Sequence, residues 1–370
     1  MWFLKCAYLR NFRFPMPKQK ALIAGATGCV GRNLLKHLLT IGGWEITALS
    51  RRKPDLPGNY EHIAVDLMDA GQCKAKLAHL TDVTHLFFAA VVTNPDPLAQ
   101  VLISDNLTLL RNTVETIEPI AKGLQHIHFM QGTKWYGSHL GPFKTPARED
   151  DPRHMPPNFY YNQWDYMVER QRGKPWTYSS ARPHAISGFA IGNPSNLTMV
   201  IGIYAVISKA LGLPLCHPGT AENYRALYQC TDSGLLARAM VWMATTPHCA
   251  NQGFNITNGD LIRWENLWPR LAAYFKMDAG PRRHINLVRT MADKAPVWDS
   301  IVKQCGLRPI AYQDIVRWPY GDFVFTPGYD VVSNTGKLRQ FGFHEYFDTE
   351  EMFYRLWDEM RADKIIPPAD

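Results

Sequence analysis

Gly25-Ala26-Thr27-Gly28-Cys29-Val30-Gly31 sits between an apolar run, Ala21–Gly25, and a segment, Asn33–Leu39, that carries Leu34, Leu35, Leu38 and Leu39 on one helical face. In that setting each glycine has its own task. Gly25 permits a tight turn, Gly28 lets the backbone approach a pyrophosphate, and Gly31 lets helix and strand pack closely. The backbone N–H groups around Thr27, Cys29 and Val30, together with the helix dipole, then face negative charge. The chemistry on offer is dinucleotide binding. A second apolar run, Glu45–Ser50, ends with Ser50 where an NAD site would want a carboxylate for the ribose 2′-hydroxyl, and Arg51 and Arg52 follow. Guanidinium groups there bind a 2′-phosphate by charge-assisted hydrogen bonds, so the expected cofactor is NADPH/NADP+. Asp66 and Leu67 close the third apolar run and Ala89 the fourth, at strand ends where a dinucleotide would lie. Two roles fit Asp66, partner of the adenine amino group and cap of its own strand.

Reduction with a nicotinamide needs an acid or electrophile near the reacting carbonyl. The common short-chain dehydrogenase solution places a Tyr four residues before a Lys on one helix. No tyrosine in this chain has Lys at that spacing: Tyr166 has Arg170, Tyr178 has Arg182 and Tyr161 has Asp165. A lysine does stand in Gln131-Gly132-Thr133-Lys134, just after the fifth strand run, where ligands bind in open α/β sheets. A phenol is available from Asn158-Phe159-Tyr160-Tyr161 at the start of the next helix.

Taken together, GATGCVG, SRR, GTKWY with a later GPF, NFYY, ARPHAISGF, FNITNGD and APVWDSIV resemble the progesterone 5β-reductase/iridoid synthase-like (PRISE) reductases, which are atypical short-chain dehydrogenases. The resemblance runs from about Lys20 over most of the chain. It implies Lys134 and Tyr160 as the catalytic pair, and NADPH-dependent reduction of the C=C bond of α,β-unsaturated carbonyl compounds. A small-molecule enone would be the partner, and a homodimer is implied at family level only. Tyr160 would hydrogen-bond the carbonyl oxygen as enolate charge develops, and Lys134 would hold the nicotinamide ribose. Pro183 would set backbone groups beside the nicotinamide amide, and Ile186 would pack against its ring. Two segments depart from the family pattern. Gly137-Ser138-His139 looks like an insertion between GTK and GPF, and Asn162-Gln163-Trp164-Asp165 replaces a more acidic run. A carbonyl reductase, a nucleotide-sugar epimerase and a non-enzymatic NADP(H)-binding redox sensor are the competing readings. The epimerase needs the missing Tyr–x–x–x–Lys pair.

To position these groups the chain must supply strands ending at Gly25, Ser50, Asp66, Ala90, Gln131 and Arg182. Ala21–Gly25, Glu45–Ser50, His62–Asp66, His85–Ala90, Ile127–Gln131 and Trp176–Arg182 alternate with helical patterns over about 105–120 and 161–172. That order predicts an α/β fold with a doubly wound, Rossmann-type, mostly parallel sheet. Residues 18–190 are expected to form the NADP-binding domain. Residues 191–370 would form a smaller, discontinuous, mostly helical substrate lobe, with about 225–260, including a strand at Phe254–Thr257, returning to the sheet. The apolar stretch Leu197–Leu213 reads equally as a lid over substrate or as a core helix. Trp135 and Phe343 read as packing residues.

Met1–Pro15 is apolar, aromatic and basic, has no run long enough to span a bilayer, and lacks a signal-peptide cleavage pattern. The expectation for 1–17 is a disordered extension. The seven cysteines form no CxxC pair and no zinc spacing, which points to a reduced, cytoplasmic protein without a metal. The net charge of +7 is scattered, so an anionic small ligand explains it without nucleic acid. No membrane insertion is expected.

Overall fold

Ala21, Leu22, Ile23 and Ala24 are fully buried on both faces, as a near-continuous apolar run requires of a central parallel strand. In the computed structural model, which describes residues 19–93, 101–191 and 196–369, that strand is β1 (Gln19–Ala24), an interior strand of a seven-stranded sheet. The elements that follow are α1 (Cys29–Ile41), β2 (Trp44–Ser50), β3 (Glu61–Ala64), α2 (Ala70–Leu77), β4 (His85–Phe88), α3 (Val101–Ile117), β5 (His126–Met130), α4 (Phe159–Gln171) and β6 (Thr177–Pro183). The strand Gln252–Ile256 completes the sheet. Its order is β3-β2-β1-β4-β5-β6 and then Gln252–Ile256, with every pair parallel. The strand order reverses between β1 and β4, which opens a crevice at their carboxyl ends. The doubly wound architecture expected from the sequence is therefore the one observed. Residues 1–17 and their expected disorder lie outside the described residues.

Element ends shift by a few residues. β3 stops at Ala64, so Asp66 and Leu67 stand in the turn beyond it; β4 stops at Phe88. α4 starts at Phe159 because Asn158 caps it. α2 was not expected: it is short and weakly amphipathic, and the Asp69 side chain caps it at Gln72.

The two sheet faces bury separate cores. Leu34, Leu35 and Leu38 of α1 pack with the helix Ser233–Thr245 and with Leu338 and Phe343 on one side. Leu77 of α2, Leu110 and Val114 of α3, and Met167 of α4 cover the other. A third core belongs to the helical segments after residue 196, around Trp264, Trp268, Trp298 and Trp357. The helix α5 (Leu197–Ala210), reached after the short strand β7 (Ala185–Ser187), runs through its centre, with every residue from Leu197 to Ser208 buried. It is a core helix rather than a lid, and it ends three residues before Leu213. Phe343 packs on Trp242 in the sheet core, as expected of a structural aromatic.

Candidate active site

The glycine loop has the geometry of a cradle. Gly25 turns at φ +87°, and a Cβ on it would meet the Ala90 backbone nitrogen at 2.6 Å; a Cβ on Gly31 would collide with the Gly25 carbonyl oxygen. Gly25 and Ala26 donate to the Leu49 carbonyl, which ties the loop to the end of β2. Among the described residues the N–H groups of Thr27, Cys29, Val30 and Gly31 find no backbone acceptor. α1 has neither a side-chain cap nor an acidic residue in its first turn. This helix terminus therefore presents donors and a positive dipole end without an internal anion. These residues fit a diphosphate. Ala89 and Ala90, at the end of β4, form the opposite wall.

Ser50 ends β2 as a buried hydroxyl donating to the Arg52 carbonyl at 2.6 Å, which bends the chain so that Arg51 and Arg52 are exposed beyond the strand. Asp66 accepts from the Met68 N–H at 3.0 Å and so caps its own turn, leaving its second carboxylate oxygen for another partner. The carbonyl of Leu67, itself buried, is held by Asn112 at 2.8 Å.

Lys134 and Tyr160 come from different elements and are tied together by a third residue. Lys134 lies in a single 3-10 turn, Thr133–Tyr136, just past β5, and Tyr160 in the first turn of α4. The Asn158 side chain accepts from the Tyr160 N–H at 3.0 Å and donates to the Lys134 carbonyl at 2.6 Å. Gln131 adds a second tie, donating to the Tyr160 carbonyl at 3.1 Å while accepting from Arg182 at 3.0 Å. A Cβ on Gly132 would stand 3.1 Å from the Tyr160 hydroxyl and 3.6 Å from the Pro183 carbonyl, so the phenol lies across the ends of β5 and β6.

The two adjacent phenols are in opposite situations. Tyr161 donates to the Trp135 carbonyl at 2.6 Å and accepts from the His154 N–H at 3.1 Å, so its hydroxyl is committed to the fold. Among the described residues no protein group bonds the Tyr160 hydroxyl. Burial pushes its pKa well above the ordinary phenol range, which keeps it a donor. Burial lowers the pKa of Lys134, whose ammonium stands 5.6 Å from the Phe323 ring centroid and has no carboxylate partner among the described residues. Trp135 is packing, as expected: Arg182 lies 3.7 Å from its ring centroid and Tyr161 meets it edge-on. Ile186 is half-buried in β7, paired in register with Thr231.

A family model, the PRISE-like Rossmann-fold domain, matches residues 63–367. The chain belongs to the PRISE family. Two relatives are similar over nearly their full lengths. The (S)-8-oxocitronellyl enol synthase CYC2 of Camptotheca acuminata is 33% identical over 94% of this chain and 93% of its own. The 3-oxo-Delta(4,5)-steroid 5-beta-reductase of Arabidopsis thaliana is 32% identical over the same shares. Among solved structures, the UDP-glucose 4-epimerase of Thermotoga maritima shares the fold with a TM-score of 0.65 at 15% identity, covering 92% of this chain and 99% of its own.

In this PRISE chain the sequence reading missed the residues that hold the pair. Asn158 was visible as a cap residue opening a helix, but its second bond spans 24 positions and left no local signal. Tyr320 and Phe323, on the helix Trp318–Phe325, pack against the third core, and the Phe323 ring faces the Lys134 ammonium. No group of three or more His, Cys, Asp or Glu among the described residues could hold a metal ion. No helix of the described residues is long and apolar enough to cross a membrane.

Proposed function

We propose that this chain is an NADPH-dependent reductase of the C=C bond of α,β-unsaturated carbonyl compounds, with Tyr160 and Lys134 as its catalytic residues. The relatives' activities on oxocitronellyl and 3-oxo-steroid substrates support the reaction class. The observation that carries the assignment of Tyr160 is the contrast between its hydroxyl, unbonded among the described residues, and the committed hydroxyl of Tyr161.

Gly25, Thr27, Gly28, Cys29, Val30 and Gly31 would hold the diphosphate, Ser50, Arg51 and Arg52 the phosphorylated ribose, and Asp66 and Leu67 the adenine. Ala89, Pro183 and Ile186 would flank the nicotinamide end. The bound cofactor supplies hydride to the β-carbon of the enone. What the protein supplies is a neutral phenol aimed at the carbonyl oxygen, where negative charge grows. One such donor is worth about 3 kcal/mol, roughly a hundredfold in rate. Lys134 would hold the ribose hydroxyls through its ammonium. The α-carbon takes its proton from solvent. The lack of paired cysteines among the described residues supports a reducing, cytosolic setting. Homodimerisation is carried over from the family resemblance and is read by light scattering.

The test is product analysis on a simple cyclic enone with NADPH and NADH side by side. A saturated ketone formed faster with NADPH supports the reading, an allylic alcohol makes the protein a carbonyl reductase, and tight NADPH binding without turnover makes it a sensor.

A further inference from the structure

His139 lies in the Gly137-Ser138-His139 segment that follows the Lys134 turn. Gly137, at φ +79°, folds the chain back; a Cβ there would stand 3.1 Å from the His154 ring. This brings the His139 ring to 5.9 Å from that of His154, which itself lies 3.2 Å from the Lys134 carbonyl through Nε2. The Ser138 carbonyl accepts from the Tyr329 hydroxyl at 2.8 Å, so the segment is fastened to the lobe side of the crevice. Outside it, an open depression of about 510 Å³ is lined by Tyr136, Leu140, Phe143 and His154.

The two ring nitrogens of His139 differ. Nδ1 is fully enclosed and has no partner among the described residues. Nε2 is not enclosed in that way, and no described protein group bonds it. An enclosed, unpaired N–H is costlier than an enclosed lone pair, so the proton belongs on Nε2. Burial, reinforced by the Lys134 charge, holds the imidazole pKa at about 4, so the ring is neutral near pH 7. A neutral ring with one unspent donor, beside Lys134 and on the lobe side, is built to meet an oxygen rather than a carboxylate. The neutral ring brings no countercharge of its own to a carboxylate, so an uncharged oxygen is the acceptor that its N–H matches.

We infer that His139 is a specificity-determining residue, whose Nε2–H hydrogen-bonds an uncharged oxygen of the substrate other than the enone carbonyl. This rests on the proposed enone reduction and extends it: substrates carrying a second oxygen function are preferred over their deoxy counterparts.

The experiment compares wild type, His139→Leu and His139→Asn on a cyclic enone and its ring-hydroxylated derivatives. In parallel, calorimetric binding of the matching saturated ketones to the NADP+ complex needs no turnover. Expected in wild type is at least a tenfold preference for one hydroxylated member, in kcat/KM and in affinity. His139→Leu loses that preference, His139→Asn regains part of it, and the NADPH KM is unchanged in both. Equal affinities for hydroxylated and deoxy ketones in wild type overturn the inference, as does a His139→Leu variant that keeps the preference or that instead raises the NADPH KM. Preserved binding preference with no reduction of any enone overturns the proposed reaction alone.

Discussion

The side-chain amide of Asn158 donates to the Lys134 carbonyl at 2.6 Å while its oxygen caps Tyr160, so one residue sets the spacing of two candidate catalytic groups that lie 26 positions apart in sequence. Removing it as Asn158→Ala deletes both the cap and the tie. A cap is worth about 1 kcal/mol, and the lost tie is expected to lower kcat about tenfold or more. Asn158→Ser restores the cap without reaching Lys134, so the melting temperature should recover and kcat should not. Recovery of both in the serine variant would show that the cap alone matters.

Burial moves the two groups in opposite senses, the Tyr160 phenol up and the Lys134 ammonium down. As pH rises, Lys134 loses its charge first, so the alkaline limb of the kcat profile belongs to the lysine. Lys134→Arg, which cannot be deprotonated, is expected to slow the enzyme yet move that limb to higher pH. Tyr160→Phe should cut turnover about a hundredfold, with the limb in place and NADPH affinity nearly intact. Steady-state profiles from pH 7 to 10.5 check this, and full activity in Tyr160→Phe would sink the assignment.

Arg51 is exposed at the end of β2, where a 2′-phosphate would lie. Arg51→Glu replaces attraction with repulsion, and the NADPH KM is expected to rise by about one to two orders of magnitude. The NADH KM should change less than threefold. Equal shifts for both cofactors would remove the 2′-phosphate from the explanation.

Burial depresses the pKa of His85 to about 4, and of His128 and His184 to about 3, from an ordinary 6.5. Below pH 6.5 the unfolded chain takes up protons that the native state refuses, so this contribution to stability is intact above that pH and lost as pH falls. Each such group withdraws up to about 1.4 kcal/mol per pH unit. Urea unfolding at pH 7, 6 and 5 should show a steep loss, and His85→Phe should flatten the slope by about one proton. An unchanged slope in that variant would mean that the ring titrates in the native state.

Much of this arrangement was legible because local physics determines it. The fully apolar run at Ala21–Ala24 could only be a central strand, and the glycines at 25, 28 and 31 fitted a strand–helix turn that the collisions at Gly25 and Gly31 now explain. Lys134 was proposed from its place at a strand end and Tyr160 through motif resemblance, not from their mutual spacing, since the tie between their segments runs through two strand ends and a cap. What remained hidden depends on long-range partners. α2 carries too little apolar periodicity to announce itself, and α5 reads the same as a lid or a core helix until Trp357 and its neighbours surround it. The difference between Tyr160 and Tyr161 lies in Trp135, 26 residues from Tyr161 and met only in the fold.

β6 is complete at Pro183, but the strand that pairs with its outer side arrives only with Gln252. During synthesis the chain must add about seventy residues after Pro183 while the growing sheet keeps a raw, hydrogen-bonding edge, a hazard that a nascent chain meets before it leaves the ribosome. A genetic cut near residue 190 would freeze that hazard into the product. Expression trials that aim to isolate residues 18–190 should therefore graft residues 230–256 back onto them, or expect inclusion bodies.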